Sequence, residues 1–116
     1  MIGKHILLMI NHAPHGSIHF SEGLRAATGL IASTDELNIS VVFLGEGVYA
    51  ALSGLERGEA AKYVATLAEW GFRLSAESES LAEREIPVDE LAADVKVISR
   101  AQVVDLIRAA DFTIDF

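Results

Sequence analysis

Cysteine is missing from this chain of 116 residues. Its absence excludes disulfides, thiolate metal sites and any cysteine nucleophile supplied by the chain itself. An oxidising compartment is not required, and a reducing cytoplasm is the simpler expectation. Basic residues are scarce as well: 9 Lys and Arg stand against 17 Asp and Glu, a formal charge of −8. That balance disfavours nucleic acid or an anionic membrane as partner. The apolar N-terminal run is too short to span a bilayer and lacks a cleavage site of the signal-peptide kind. Aromatic residues are few, and Tyr49, Tyr63 and Trp70 are not spaced as a stacking platform for bases; they fit helix packing or an oligomer contact. No internal repeat, low-complexity tract or linker stands out.

What remains is apolar, with 51% of residues hydrophobic. A chain of this length and composition fits a single domain over residues 1–116, with room for about five strands and their helices. Ile6 to Ile10 is an unbroken apolar run, the pattern of a strand buried on both faces in a parallel sheet. It stops at Asn11, Pro14 and Gly16 mark a loop, and Ser17 stands where a helix N-cap would stand. Helix follows from about Ile18 to Ser33, with Phe20, Leu24, Ala27 and Ile31 on one stripe and a Glu22–Arg25 pair outside it. Gly23 and Gly29 weaken that helix, which suggests close packing against a neighbour.

A second strand spans Ile39 to Leu44, followed by Gly45-Glu46-Gly47 and helical pieces near Val48 to Leu55 and Glu59 to Trp70. Phe72, Leu74 and Ala76 alternate with Arg73, Ser75 and Glu77, as in a strand with one wet face near a sheet edge or lining a subunit contact. Ser80 and Glu83 have capping-box spacing, which predicts a short helix through Leu81 and Arg84 that Pro87 closes; a helical turn follows over Val88 to Asp94. Val95, Val97 and Ile98 form a fourth strand. Ser99 and Gln102 repeat the capping-box spacing ahead of a helix burying Val103, Ile107 and Ala110. Phe112, Ile114 and Phe116 alternate as a last strand. Strands alternating with helices throughout predict an α/β/α sandwich around a mostly parallel five-stranded sheet with right-handed crossovers.

Three constellations carry candidate chemistry. His12, His15 and His19 lie at the end of the first strand and on the helix after it, where α/β sheets bind ligands. They could form a metal site or an acid–base pair, or simply be solvated. No metal-ligand spacing is present, so no metal and no cofactor is expected. His5, at the strand's other end, reads as structural. Gly45 and Gly47 could let backbone N–H groups approach an anion, with His12, His15, Gly16 and Ser17 from the first loop, though Glu46 would repel a phosphate and the glycines match no nucleotide fingerprint. Arg73, Ser75, Glu77 and the acidic run through Glu79, Glu83 and Glu85 could be a solvated face or an edge contact to another chain.

Several segments, in order, resemble the DsrE/DsrF-like proteins, which include the sulfur-relay subunits TusB, TusC and TusD. Ala13-Pro14-His15-Gly16-Ser17 follows the first strand, and Glu22-Gly23-Leu24-Arg25 lies in the first helix. Phe43-Leu44-Gly45-Glu46-Gly47-Val48-Tyr49 is similar to the family's Leu-Gly-Asp-x-Val-Tyr. Glu79-Ser80-Leu81-Ala82-Glu83-Arg84 is similar to its Ser-Leu-x-x-Arg-Gly segment, and Ala110-Asp111-Phe112 to its closing strand. The resemblance implies an α/β/α domain acting as an oligomer, with a trimer or hexamer of itself expected, or with a cysteine-bearing relative. The sulfur-carrying members place a reactive cysteine just after the third strand, a position that falls near Glu77 here. The cysteine-lacking DsrF/TusC branch is the nearer match, so a non-catalytic partner subunit is expected. The alternative is a small-molecule module holding a nucleotide or anion at the first two strand ends; a histidine-dependent hydrolase or isomerase ranks last. Glu85 stands where the family has glycine, which puts the backbone conformation there in question.

Overall fold

The computed structural model describes residues 4–14, 19–33, 37–54, 60–69, 71–72 and 74–116. Five strands form one sheet: β1 (Lys4–Ile10), β2 (Leu37–Phe43), β3 (Leu74–Glu77), β4 (Val95–Ile98) and β5 (Phe112–Asp115). Every pairing is parallel, and the order across the sheet is β4-β3-β2-β1-β5. Four α-helices connect them: α1 (His19–Ser33), α2 (Ala60–Glu69), α3 (Ser78–Glu83) and α4 (Arg100–Ala109). Among the described residues, two 3-10 segments, Gly45–Ala51 and Val88–Glu90, also lie in the connections. The α/β/α reading holds, and the sheet is wholly rather than mostly parallel.

The alternation of side chains along each strand creates two unequal faces. Ile6, Leu8 and Ile10 of β1 share one face with Ile39, Val41 and Phe43 of β2 and with Leu74 and Ala76 of β3. Leu24 and Ala27 of α1, Val64 and Leu67 of α2, and Leu81 of α3 cover that face. On the other face, Leu7, Val42 and Ile98 pack against Val103 of α4. The path explains the asymmetry: three successive connections step the chain from β1 to β4, and α4 then returns it across the opposite face to β5. Right-handed crossovers that move in opposite directions must lie on opposite faces.

Local expectations are met in part. The Glu22–Arg25 pair forms at 3.5 Å. The Ser99–Gln102 capping box is complete, with both reciprocal bonds made. Gly23 is explained by packing, since a Cβ there would lie 3.2 Å from the Phe116 ring; at Gly29 nothing lies within 4 Å. His5 is a structural residue, bonding Ser40 Oγ through Nε2 at 3.0 Å and the Asp111 carboxylate through its backbone N–H at 2.7 Å.

Three expectations need correction. β3 is not an edge strand: it pairs with β2 and β4, and Glu77 at its end is only 3% exposed. The edges are β4 and β5. Ser80 does not cap α3, which opens at Ser78; its hydroxyl serves a tertiary contact instead. In α4 the inward residue beside Val103 is Leu106, while Ile107 is 41% exposed. Along a helix i+3 and i+4 are both neighbours of a buried residue, and the sheet decides between them. Arg73, Trp70 and Leu55 lie outside the described residues, as does the proposed cap Ser17.

Candidate functional site

Strands β3 and β4 are neighbours, with Glu77 in register with Ile98. After β3 the chain turns into α3 on the first face, and after β4 it turns into α4 on the second. Such a parting of connections opens a crevice at the carboxyl ends of two adjacent strands, the usual place for a site in an open α/β sheet. Here the crevice holds a closed network of side chains.

Glu77 lies at its centre. Its Oε1 accepts from Ser80 Oγ at 2.5 Å and from Arg100 Nη2 at 2.9 Å. Ser80 Oγ in turn accepts from the Gly45 N–H at 2.9 Å, which ties the end of β2 to the end of β3. Arg100, the first residue of α4, also reaches Glu83 Oε1 at 3.0 Å. Its backbone N–H donates to Glu79 Oε1 at 2.8 Å, so a carboxylate sits at the positive end of α4, where the helix dipole favours it. One guanidinium and one helix terminus thus hold three carboxylates. Among the described residues, no buried side-chain nitrogen or oxygen is left without a partner.

The electrostatics follow from these contacts. Burial pushes the Glu77 carboxyl up, but the hydrogen bonds from Arg100 and Ser80, with the guanidinium charge, outweigh it and hold the group below the usual glutamate range. Glu79 is also held low, first by the Ser78 hydroxyl and then by the Arg100 N–H. Arg100 is raised above its ordinary value by its bonds to Glu77 and Glu83. A carboxylate kept ionised in this way does not exchange a proton near neutral pH, so it is unsuited to acid–base work. Its Oε1 is occupied by two donors, which lowers the nucleophilicity of that oxygen. The arrangement is a clamp.

The loops after β1 and β2 are placed differently. Gly45 has a φ of +57°, and its N–H is taken by Ser80; the Gly47 N–H donates to the Leu44 carbonyl at 3.0 Å. Glu46 and His12 are exposed. A cavity of about 530 Å³ opens beside them, lined by Ala13, Pro14, Tyr49, Leu52 and Glu90 among others, with no Lys or Arg among the described lining residues. His15, Gly16 and Ser17 lie outside the described residues, as does the side chain of His19. No group of three or more His, Asp or Glu among the described residues could hold a metal ion.

Residue 85 answers the question raised by its glycine-like position. Glu85 has a φ of +54°. Its N–H donates to Ala82 O and the Ile86 N–H to Leu81 O, both at 3.0–3.1 Å, the paired bonds of a Schellman C-cap whose αL residue is usually glycine. Glu85 thus adopts the left-handed conformation that glycine favours. Arg100, by contrast, was not singled out from sequence. It lies 23 residues beyond Glu77, and only the adjacency of β3 and β4 connects them.

An all-parallel five-stranded sheet with helices on both faces, and with its crevice at the β3 and β4 ends, defines a class of small α/β domains. Within that class, this chain belongs to the DsrE/DsrF-like family, whose model matches residues 4–116. It is 33% identical over 114 residues to a Vibrio parahaemolyticus protein named TusC homolog, covering 93% of this chain and 95% of that one. The crystal structure of the ychN protein from E. coli superposes with a TM-score of 0.85 at 22% identity, over 97% of this chain and 99% of the other. MTH1491 from Methanobacterium thermoautotrophicum, a protein of unknown function, gives 0.79 at 20% identity with the same coverage. These two likenesses are of fold alone.

Proposed function

We propose that this chain is a non-catalytic subunit of an intracellular sulfur-relay assembly, contributing surface and architecture while a cysteine-bearing relative carries the sulfur. The observation that supports this reading most is the state of residue 77. The sulfur-carrying members resembled by this chain hold their cysteine near this position, at the carboxyl end of the third strand. Here the position is a glutamate, buried and clamped by Arg100 and Ser80. A persulfide needs a thiolate with access to a donor, and this chain has neither the sulfur nor the opening. Identity of 33% to a protein named TusC homolog agrees with a place in the cysteine-lacking branch.

The subunit works as an oligomer, either of itself as a trimer or hexamer or together with that relative, in the cytoplasm. Among the described residues no helix is long and apolar enough to cross a membrane. Glu77 and Glu79 act inside the subunit as clamp residues rather than as contacts. Light scattering on the purified protein, with capture of the cysteine-bearing relative from native lysate, tests the reading. It expects a particle several times 12.5 kDa or a stable complex with the relative. A monomer that binds no relative overturns it.

A second reading, a module binding a nucleotide or anion at the loops after β1 and β2, rests on the cavity beside Pro14 and Tyr49. The engaged Gly45 N–H, and the lack of a Lys or Arg among the described lining residues, weigh against an anion there. A rise in melting temperature with saturating nucleotide would favour it.

A further inference from the structure

Among the described residues, one helix covers the second face of the sheet, and the surface beside it mixes polar and apolar side chains. Parallel sheets are normally buried on both sides by helices. Here a cleft of about 590 Å³ runs between α4 and strands β2, β3 and β4. Its size is that of a small-molecule pocket. Its lining runs from Asn38 at the amino-terminal end of β2 to Ile98, the register partner of Glu77, and Gln102, and it is independent of the sulfur-relay reading.

The two walls of the cleft carry opposite charge. The sheet side presents Lys96 with the Ser75, Ser40 and Asn38 side chains. Lys96 is in direct register with Ser75 on the neighbouring strand, so ammonium and hydroxyl share one patch. Ser40 has its hydroxyl fixed by the bond to His5 Nε2 at 3.0 Å. The helix side presents Asp105, one turn beyond Gln102 on the same α4 stripe. Among the described residues, neither Lys96 nor Asp105 is in an ion pair. Ile98 and Leu106 of the second-face cluster add apolar surface to the lining, and Phe72, which packs against the first-face core, reaches its rim.

This pattern selects among occupants. An apolar helix laid into the cleft would strip water from Asn38, Ser40 and Ser75 without replacing their hydrogen bonds, a cost that burial of its own surface must first offset. A simple anion would meet Lys96 but be repelled by Asp105, and a simple cation the reverse. A molecule with a carboxylate at one end, an ammonium at the other and an apolar side group satisfies all three surfaces. We propose that the cleft between α4 and β2–β4 is a binding site for a small zwitterion of α-amino-acid type, its carboxylate on Lys96 and the strand hydroxyls, its ammonium on Asp105 and its apolar group on Ile98 and Leu106.

The test is calorimetric titration of the full chain with three probes: L-phenylalanine, 2-phenylethylamine, which lacks the carboxylate, and 3-phenylpropanoate, which lacks the ammonium. L-phenylalanine binds saturably, and each truncated probe binds about ten-fold more weakly, the loss of one charge-assisted contact. In Lys96→Met, L-phenylalanine falls to the level of 2-phenylethylamine; in Asp105→Asn, it falls to that of 3-phenylpropanoate. Both side chains are exposed, and circular dichroism melts check that the variants fold. No saturable binding of L-phenylalanine, equal binding of all three probes, or unchanged affinity in either folded variant overturns the proposal.

Discussion

Two glycines of this chain should respond to the same substitution with opposite signs. Gly47 lies in the turn after β2, pressed against the end of β1. A Cβ there would stand 1.9 Å from the Ile10 carbonyl oxygen and 2.7 Å from its carbon, where contacts under 3.0 Å are essentially never found. The two backbones would have to part by about 1 Å. That movement pulls on the Leu44 N–H bond to Ile10 O, 3.1 Å long, and on the fully buried Ile10 and Val48 beside it. A weakened buried hydrogen bond costs about 1–3 kcal/mol and overpacking a further 1–3 kcal/mol, so Gly47→Ala should destabilise by about 3 kcal/mol. Gly29, inside α1, has nothing within 4 Å of such a Cβ. There Gly→Ala should stabilise by about 0.5–1 kcal/mol, because alanine loses less backbone entropy in a helix. Urea unfolding at fixed protein concentration measures both, with the m-value checking that the unfolded state is unchanged. A Gly47→Ala midpoint within about 0.5 kcal/mol of the parent would show that the β1–turn contact is not as close as described.

Further predictions concern the clamp and its surroundings. Ser80→Ala removes a partner from both Glu77 and the Gly45 N–H, and should lower stability by about 2 kcal/mol in the same assay. Glu77 has a folded pKa below its unfolded one, so its contribution is present above the ordinary glutamate range and is lost as pH falls through the depressed value. Melting curves between neutral and strongly acid pH should therefore show a flatter acid limb in Glu77→Gln than in the parent. An identical limb would mean that Glu77 is not held ionised by Arg100. Glu85→Gly, which relieves an L-residue in the left-handed region, should raise stability by about 0.5–1 kcal/mol after the glycine's own entropy is counted. A fall in melting temperature would refute the strain assigned there.

How much of this was legible in the sequence depends on the range of the interaction. Features fixed by spacing alone were readable: the buried run of β1, the Glu22–Arg25 pair and the Ser99–Gln102 box each lie within one element. The Ser80–Glu83 spacing is identical to that of a capping box, yet it fails because Ser80 finds a stronger use in joining Gly45 to Glu77. Family resemblance singles out Glu77, but the strand's alternation alone marks it as a solvated residue. Only the return of the chain through α4, bringing Arg100 over the end of β3, makes its burial tolerable. The open second face was equally hidden, since Asn38, Ser40, Ser75 and Lys96 come from three strands and read singly as wet positions.

The central claim is that this subunit lends shape to a relay whose chemistry belongs to another chain. Its most direct test is to incubate the purified, metal-free protein with a labelled persulfide donor, alone and with a cysteine-bearing family member. No covalent label is expected on this chain in either mixture, and label is expected on the relative alone. Sulfur retained by this protein, or turned over by it in isolation at an enzyme-like rate, would contradict the account.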